Sequence, residues 1–298
     1  MTITWNDKPP VLTDPVLIVY LSGWIDSGGA AQLAIDALLE ECEAEPIAVF
    51  DDDTYLDFRA RRPTMKLVDG RNTILDWQHI TLSHGKDRIG RDIIIAHGPE
   101  PDLAWHRFVA ELTNAAEQLG VRTCAHLGAY PFSCPHTRPS QLSMTTASED
   151  LLATLPFLRS TLDVPGGIGS ALEHSLHGND IPTLGLWAQV PHYAATMPYP
   201  AAGVALLDGL KTSFDLVIDG TDLRSSMVEH RERLDKLVRD NPEHAMMLRN
   251  LEEAHDAQLA DNPHIESSPP SIGEISADEL SEQVERFLRG QDLSLIHI

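Results

Sequence analysis

The chain has 298 residues and a formal net charge of −23, and an acidic balance of that size repels phosphate backbones and anionic headgroups, so no nucleic-acid or membrane partner is expected. A chain this long buries a core without a metal or disulfide staple, and Cys42, Cys124 and Cys134 are odd in number and lack CxxC spacing, which fits a reducing compartment. No basic segment followed by an apolar one opens the sequence, and its longest apolar run, residues 16 to 21, is too short for a bilayer; the expectation is a soluble cytoplasmic protein.

Taken in order, Pro15-Val-Leu-Ile-Val-Tyr-Leu predicts a strand buried on both faces. Residues 28 to 42 carry helical apolar spacing through Ala31, Leu33, Ala34, Ala37 and Leu38, and Pro46-Ile-Ala-Val-Phe opens another strand, completing a βαβ unit. Further strands are expected at 65–68, 73–82, 92–96, 121–127 and 183–189, with helices at 101–119 and 168–177. The 73–82 and 92–96 pair reads as a hairpin, so the sheet is mixed. This alternation predicts a three-layer α/β/α domain on a mainly parallel mixed sheet, spanning residues 1 to 218.

Residues 219 to 292 form a second region of acidic, proline-punctuated helices. Leu223, Met227, Leu234, Leu237 and Val238 make a narrow stripe, and Asn241-Pro242-Glu243 is a cap followed by proline at the first helical position. A linker from Asp261 to Ile275 and a last helix opened by Ser276-Ala-Asp-Glu follow, with stripe residues Leu280, Val284, Phe287 and Leu288. Three arginines oppose twelve acids beyond residue 240, a solubilising face by composition. The closing Leu-Ser-Leu-Ile-His-Ile, residues 293 to 298, reads as a non-native or disordered tail.

Two Pro-His loops leave strand ends: Cys134-Pro-His-Thr-Arg-Pro139, and Val190-Pro-His-Tyr within a proline-spaced aromatic stretch. Gly23-Trp-Ile-Asp-Ser-Gly28 lies at the first strand-to-helix turn, where free N–H groups can hold an anion; it lacks GxGxxG or P-loop spacing, and Asp26 repels a phosphate. The structural alternative, in which Asp26 or Ser27 caps the helix, leads. Asp51, Asp53 and Asp57 have carboxylate spacing suited to a hard cation, against a reading in which Arg59, Arg61 and Arg62 neutralise the run. The neutralised reading leads, so neither metal nor cofactor is expected. His97-Gly-Pro-Glu-Pro-Asp102 reads as an ordinary helix start on Pro101, and the common hydrolase signatures are missing from the sequence.

If the sheet is mainly parallel, these turns share its carboxyl edge, where α/β proteins build crevices. The candidate crevice residues are Trp24, Asp26, Asp51, Asp53, His136, Arg138, His192 and Tyr193. A carboxylate–histidine pair among them suits general acid–base work, with Arg138 for an anion.

Five ordered motifs carry a family resemblance: Gly23-Trp-Ile-Asp-Ser-Gly28, Asp57-Phe-Arg-Ala-Arg-Arg-Pro63, Glu100-Pro-Asp-Leu-Ala-Trp105, Pro135-His-Thr-Arg-Pro139 and Leu186-Trp-Ala-Gln-Val-Pro-His-Tyr193. With these the chain resembles the proteasome assembly chaperone 2 family, in its bacterial, actinobacterial-like branch. The resemblance implies a phosphorylase/hydrolase-like fold, a homo-oligomer with a trimer preferred, and no established enzymatic activity. Archaeal and eukaryotic relatives are linked to proteasome ring assembly, some through a hydrophobic-Tyr-any tail. This chain has no penultimate tyrosine, whether it ends at Gly290, Asp292 or Ile298. The expected function is therefore a non-enzymatic oligomeric scaffold or assembly chaperone with a protein partner, proteasome-related or other. The alternative is a nucleoside-like small-molecule binder, hydrolase or phosphorylase acting in the crevice.

Overall fold

A computed structural model describes residues 3–261. Eight strands form one sheet: β1 (Ile3–Trp5), β2 (Val16–Ser22), β3 (Glu45–Phe50), β6 (Thr81–Lys86), β7 (Asp92–Pro99), β8 (Thr123–Phe132), β9 (Leu142–Thr145) and β10 (Thr183–Pro191), in the order β1-β3-β6-β7-β2-β8-β10-β9. The central strands β7, β2, β8 and β10 are parallel neighbours, and antiparallel pairs close both flanks.

Every β2 residue from Val16 to Leu21 is buried, because both faces of the sheet are covered. Val16, Ile18 and Tyr20 face α1 (Ala30–Glu41), α6 (Pro200–Phe214) and α7 (Thr221–Arg239). Leu17, Val19 and Leu21 face α3 (Trp105–Leu119) and α5 (Ile168–His177) on the other side. The period-2 alternation of a strand thus distributes one apolar run between two cores, giving the expected α/β/α layers. Short helices α2 (Asp52–Tyr55) and α4 (Glu149–Thr154) decorate the loops, and α8 (Pro242–Asp261) packs on α7. Asn241 Oδ1 accepts the Glu243 amide at 2.9 Å, as its cap position requires.

Three expectations need correction. The run 73–82 is two strands: β5 (Arg71–Asp76) pairs with β4 (Thr64–Val68) in a separate hairpin, while β6 begins at Thr81 and pairs with β7. The β6–β7 turn lies at residues 87–91, where Asp87 Oδ1 accepts the amides of Ile89 and Arg91. The helix expected from Pro101 begins at Trp105, after Ala104 in the left-handed region at φ 54°; Asp102 instead accepts the Asp57 amide and pairs with Arg61 at 3.0 Å. In the α7 stripe Leu223 and Leu234 are buried, but Leu237 is 60% exposed. The βαβ unit holds in direction, yet β6 and β7 lie between β3 and β2. The linker beyond Asp261, the last helix and the tail lie outside the described residues.

Candidate functional site

The turn after β2 is built around Gly23, at φ 138°, where a Cβ would come within 3.0 Å of Arg61 Nη2. Three residues on, Asp26 Oδ1 accepts the Ala31 amide at 2.8 Å, and Oδ2 accepts the Gln32 amide at 3.1 Å and the Tyr20 hydroxyl at 2.9 Å. The amides at the start of α1 are therefore satisfied by the chain's own carboxylate, so this end is capped as the leading reading expects. Burial, and then the neighbouring Asp26, push the Tyr20 phenol far above its ordinary range.

The two Pro-His loops meet. Tyr193 Oη accepts the His136 backbone N–H at 2.8 Å and lies 2.7 Å from its Nδ1, while His136 Nε2 lies 3.2 Å from Asp235 Oδ1 on α7. With the imidazole neutral, the arrangement that satisfies all three contacts has Tyr193 donating to Nδ1 and Nε2–H donating to Asp235. Burial holds His136 below the usual histidine range, against the pull of Asp235, and pushes Tyr193 up to about 12. Thr137 donates to Glu252 at 2.5 Å, and Arg138 grips both carboxylate oxygens of Asp256 at 2.9 and 2.6 Å. The Pro135–Pro139 motif thus clasps α7 and α8. His192 is exposed, its ring edge-on to Tyr193 at 5.4 Å.

Asp51 and Asp53 are exposed on the far flank. Five strand spacings separate β3 from β10, about 24 Å, so the structure does not bring these aspartates to the histidines. Asp51 accepts the Thr54 hydroxyl at 2.6 Å, and among the described residues no ion pair joins Asp51, Asp53 or Asp57 to Arg59, Arg61 or Arg62. The arginine neutralisation expected there is replaced by the Arg61–Asp102 pair, which ties the loop to β7's end. Among the described residues no group of three His, Cys, Asp or Glu is placed to hold a metal.

A cavity of about 40 Å³ does open where β2 and β7 end, beside the middle of β8 and against the start of α5. Trp24 and Asp26 line it, together with Glu100, His126, Ser170 and Trp187, which sequence reasoning had not singled out for it. It occupies the point where the chain leaves β2 toward one flank and β8 toward the other. His126 Nε2 lies 2.6 Å from Glu173 Oε1, which also accepts the Thr145 hydroxyl at 2.5 Å; Trp187 Nε1 donates to Thr145 at 3.2 Å. With Glu173 ionised it accepts from both neighbours, so the proton of this contact is carried by His126 Nε2.

Glu100 is 8% exposed and His126 5%. Glu100 Oε1 accepts the Ile168 amide at 2.7 Å. Burial pushes the Glu100 carboxyl up, opposed by Ile168 N–H and Arg61. Glycines keep the space clear: a Cβ at Gly169 would sit 2.6 Å from His126 Nδ1, and one at Gly167 would sit 2.8 Å from Trp24 Cδ1. Glu100 and Glu173 were illegible because their partners lie 68 and 47 residues away.

A family model described as the PAC2 family matches residues 20–238. Among solved structures, a PAC2 family protein from Streptomyces avermitilis is 33% identical over 79% of this chain and 100% of its own, with a TM-score of 0.71. A Mycobacterium tuberculosis proteasome-assembly chaperone homologue is 30% identical over 78% and 99%, with a TM-score of 0.72. A Corynebacterium glutamicum protein of unknown function is 28% identical over 88% and 99%, with a TM-score of 0.82. Comparison with curated proteins finds no match.

Proposed function

Because the chain belongs to the PAC2 family, we propose that it is a non-enzymatic, homo-oligomeric scaffold or assembly chaperone whose client is a protein assembly, proteasome-related in the first instance. The similarity to a proteasome-assembly chaperone homologue supports the chaperone class. The observation that carries the oligomeric part is the β4–β5 hairpin. All eleven residues of its two strands are exposed, among them Met65, Leu67, Ile74 and Leu75 at 50, 57, 53 and 43%. A free two-stranded hairpin is marginal in water, and one with apolar side chains at this density needs a partner surface.

Charge selects the partner. Residues 59 to 76 hold Arg59, Arg61, Arg62, Lys66 and Arg71 against Asp69 and Asp76, a basic arm on a chain of net charge −23. Among the described residues Arg59, Arg62, Lys66 and Arg71 make no ion pair within the chain, so a second copy's acidic surface is complementary to them. A homotrimer is the preferred stoichiometry. The Pro-His loops support the same reading, since His136 and Arg138 are engaged in holding α7 and α8 in place. Sedimentation of the purified chain tests it: a discrete oligomer that Leu67→Asp/Ile74→Asp dissociates supports the scaffold, and a monomeric wild type rejects it. The nucleoside-like alternative draws little support from the cavity beside Trp24, where about 40 Å³ holds one or two waters' worth of ligand; what room it has is the groove of about 730 Å³ lined by His136, Arg138 and His230.

A further inference from the structure

We propose that the groove between α6 and α7 is covered in cis by residues 276–290 of this chain, seated through the apolar stripe Leu280, Val284, Phe287 and Leu288. This inference is independent of the oligomeric reading. The groove encloses about 730 Å³, and Leu142, Phe157, Val204, Met227 and Val228 give it an apolar surface. Val228 stands 53% exposed there. Apolar surface of this kind, rimmed by polar residues, marks a place where another element docks.

Place, length and charge select this segment. Arg138 lines the groove and grips Asp256, so the chain leaves α8 at Asp261 only about 8 Å of helix beyond a residue bonded to the groove wall. Residues 262–275 span up to about 45 Å when extended, which brings residue 276 to either end of the groove. From Arg224 to Asp235 the groove follows α7 for about 16 Å, and the helix that the sequence predicts from Ser276 to Arg289 is about 20 Å long. Its stripe has i, i+4, i+7, i+8 spacing, one face of a helix too short to be stable alone in water. In the groove Arg231 makes no ion pair among the described residues, its guanidinium donating to the Thr137 carbonyl at 3.3 Å, and Glu232 makes none either. Asp278, Glu279 and Glu282 complement that arginine, and Arg286 and Arg289 complement that glutamate. The β4–β5 hairpin of a second copy fits less well, since it is basic and the groove already carries Arg138, Arg224 and Arg231. The contact is autoinhibitory: a partner's apolar helix enters the groove only by displacing the segment.

The test uses the full chain with two introduced cysteines, Val228→Cys in the groove and Val284→Cys in the stripe, closed by mild oxidation. Cys42, Cys124 and Cys134 are buried and do not compete. A second pair, Leu103→Cys with Val284→Cys, puts the first thiol at a 53% exposed site on the loop leading to α3, the helix on the other face of the sheet, and measures random encounter. The expected result is a disulfide at monomer mass in the groove pair, formed at least about tenfold faster than in the second pair, because docking raises the effective concentration of the thiol. Adding Leu280→Asp/Phe287→Asp slows the groove pair to the rate of the second. Equal rates in the two pairs overturn the proposal, and that comparison uses only exposed sites and residues beyond α8. A disulfide found only at dimer mass overturns it too, assigning the groove to the segment of a second copy, and so does a groove-pair rate that Leu280→Asp/Phe287→Asp leaves unchanged.

Discussion

Tyr193 Oη lies within hydrogen-bond distance of both the backbone N and the Nδ1 of His136, 57 residues earlier in the chain. One hydroxyl thereby closes the loop after β8 onto the loop after β10. The same histidine reaches Asp235 on α7, so the junction also carries the C-terminal helices. Tyr193→Phe leaves two buried polar atoms of His136 without a partner, and unfolding stability falls by about 1–3 kcal/mol. Urea unfolding measures this; a loss below about 0.5 kcal/mol contradicts the junction's role.

Asp26 closes the start of α1 from within the chain. Asp26→Ala exposes the Ala31 and Gln32 amides and the Tyr20 hydroxyl, at a cost of about 1–2 kcal/mol. Inorganic phosphate leaves the wild-type melting temperature unchanged, because the amides it would use are already bonded. A saturable phosphate stabilisation lost in the variant contradicts the capping account.

Arg138 binds α8 through Asp256 and Glu252 at the surface. Arg138→Ala therefore raises amide exchange across α8 while the central strands keep their protection. Uniformly unchanged exchange contradicts the clasp.

The pH dependence follows from three partly desolvated histidines. His97, His136 and His230 are each held below the ordinary value by desolvation, so the unfolded chain binds their protons more readily than the folded one. Stability rises with pH in that window, and is lost as pH falls from about 6.5, the unfolded histidine value. Asp92, held near 2 by Lys86, the Thr13 amide and His84 despite partial desolvation, adds a second loss below about pH 4. Urea midpoints decline between pH 7.5 and 5.5, and His136→Gln flattens that decline. A midpoint independent of pH there contradicts the assignment.

The central strands were legible because burial on both faces writes β2, β7, β8 and β10 as apolar runs. Edge strands β1 and β9, three and four residues long, carry too little pattern. The β5–β6 boundary was missed because residues 73–82 contain apolar positions throughout, while Asp76 to His79 turns the chain between a free hairpin and the sheet. Helix α6 carries apolar residues around much of its circumference, which weakens the helical period in its sequence. Asp26 was legible as a cap since its partners are local. The cavity was not: Glu100, His126 and Glu173 converge only through strand pairing and the packing of α5, and Glu100 stands among residues that resemble a helix start.

Sedimentation of the wild type and of Leu67→Asp/Ile74→Asp tests the scaffold most directly. The account predicts a discrete oligomer, a trimer by preference, that becomes a monomer in the variant with circular dichroism and β-sheet protection retained. A monomeric wild type, or a variant with wild-type mass, would contradict it.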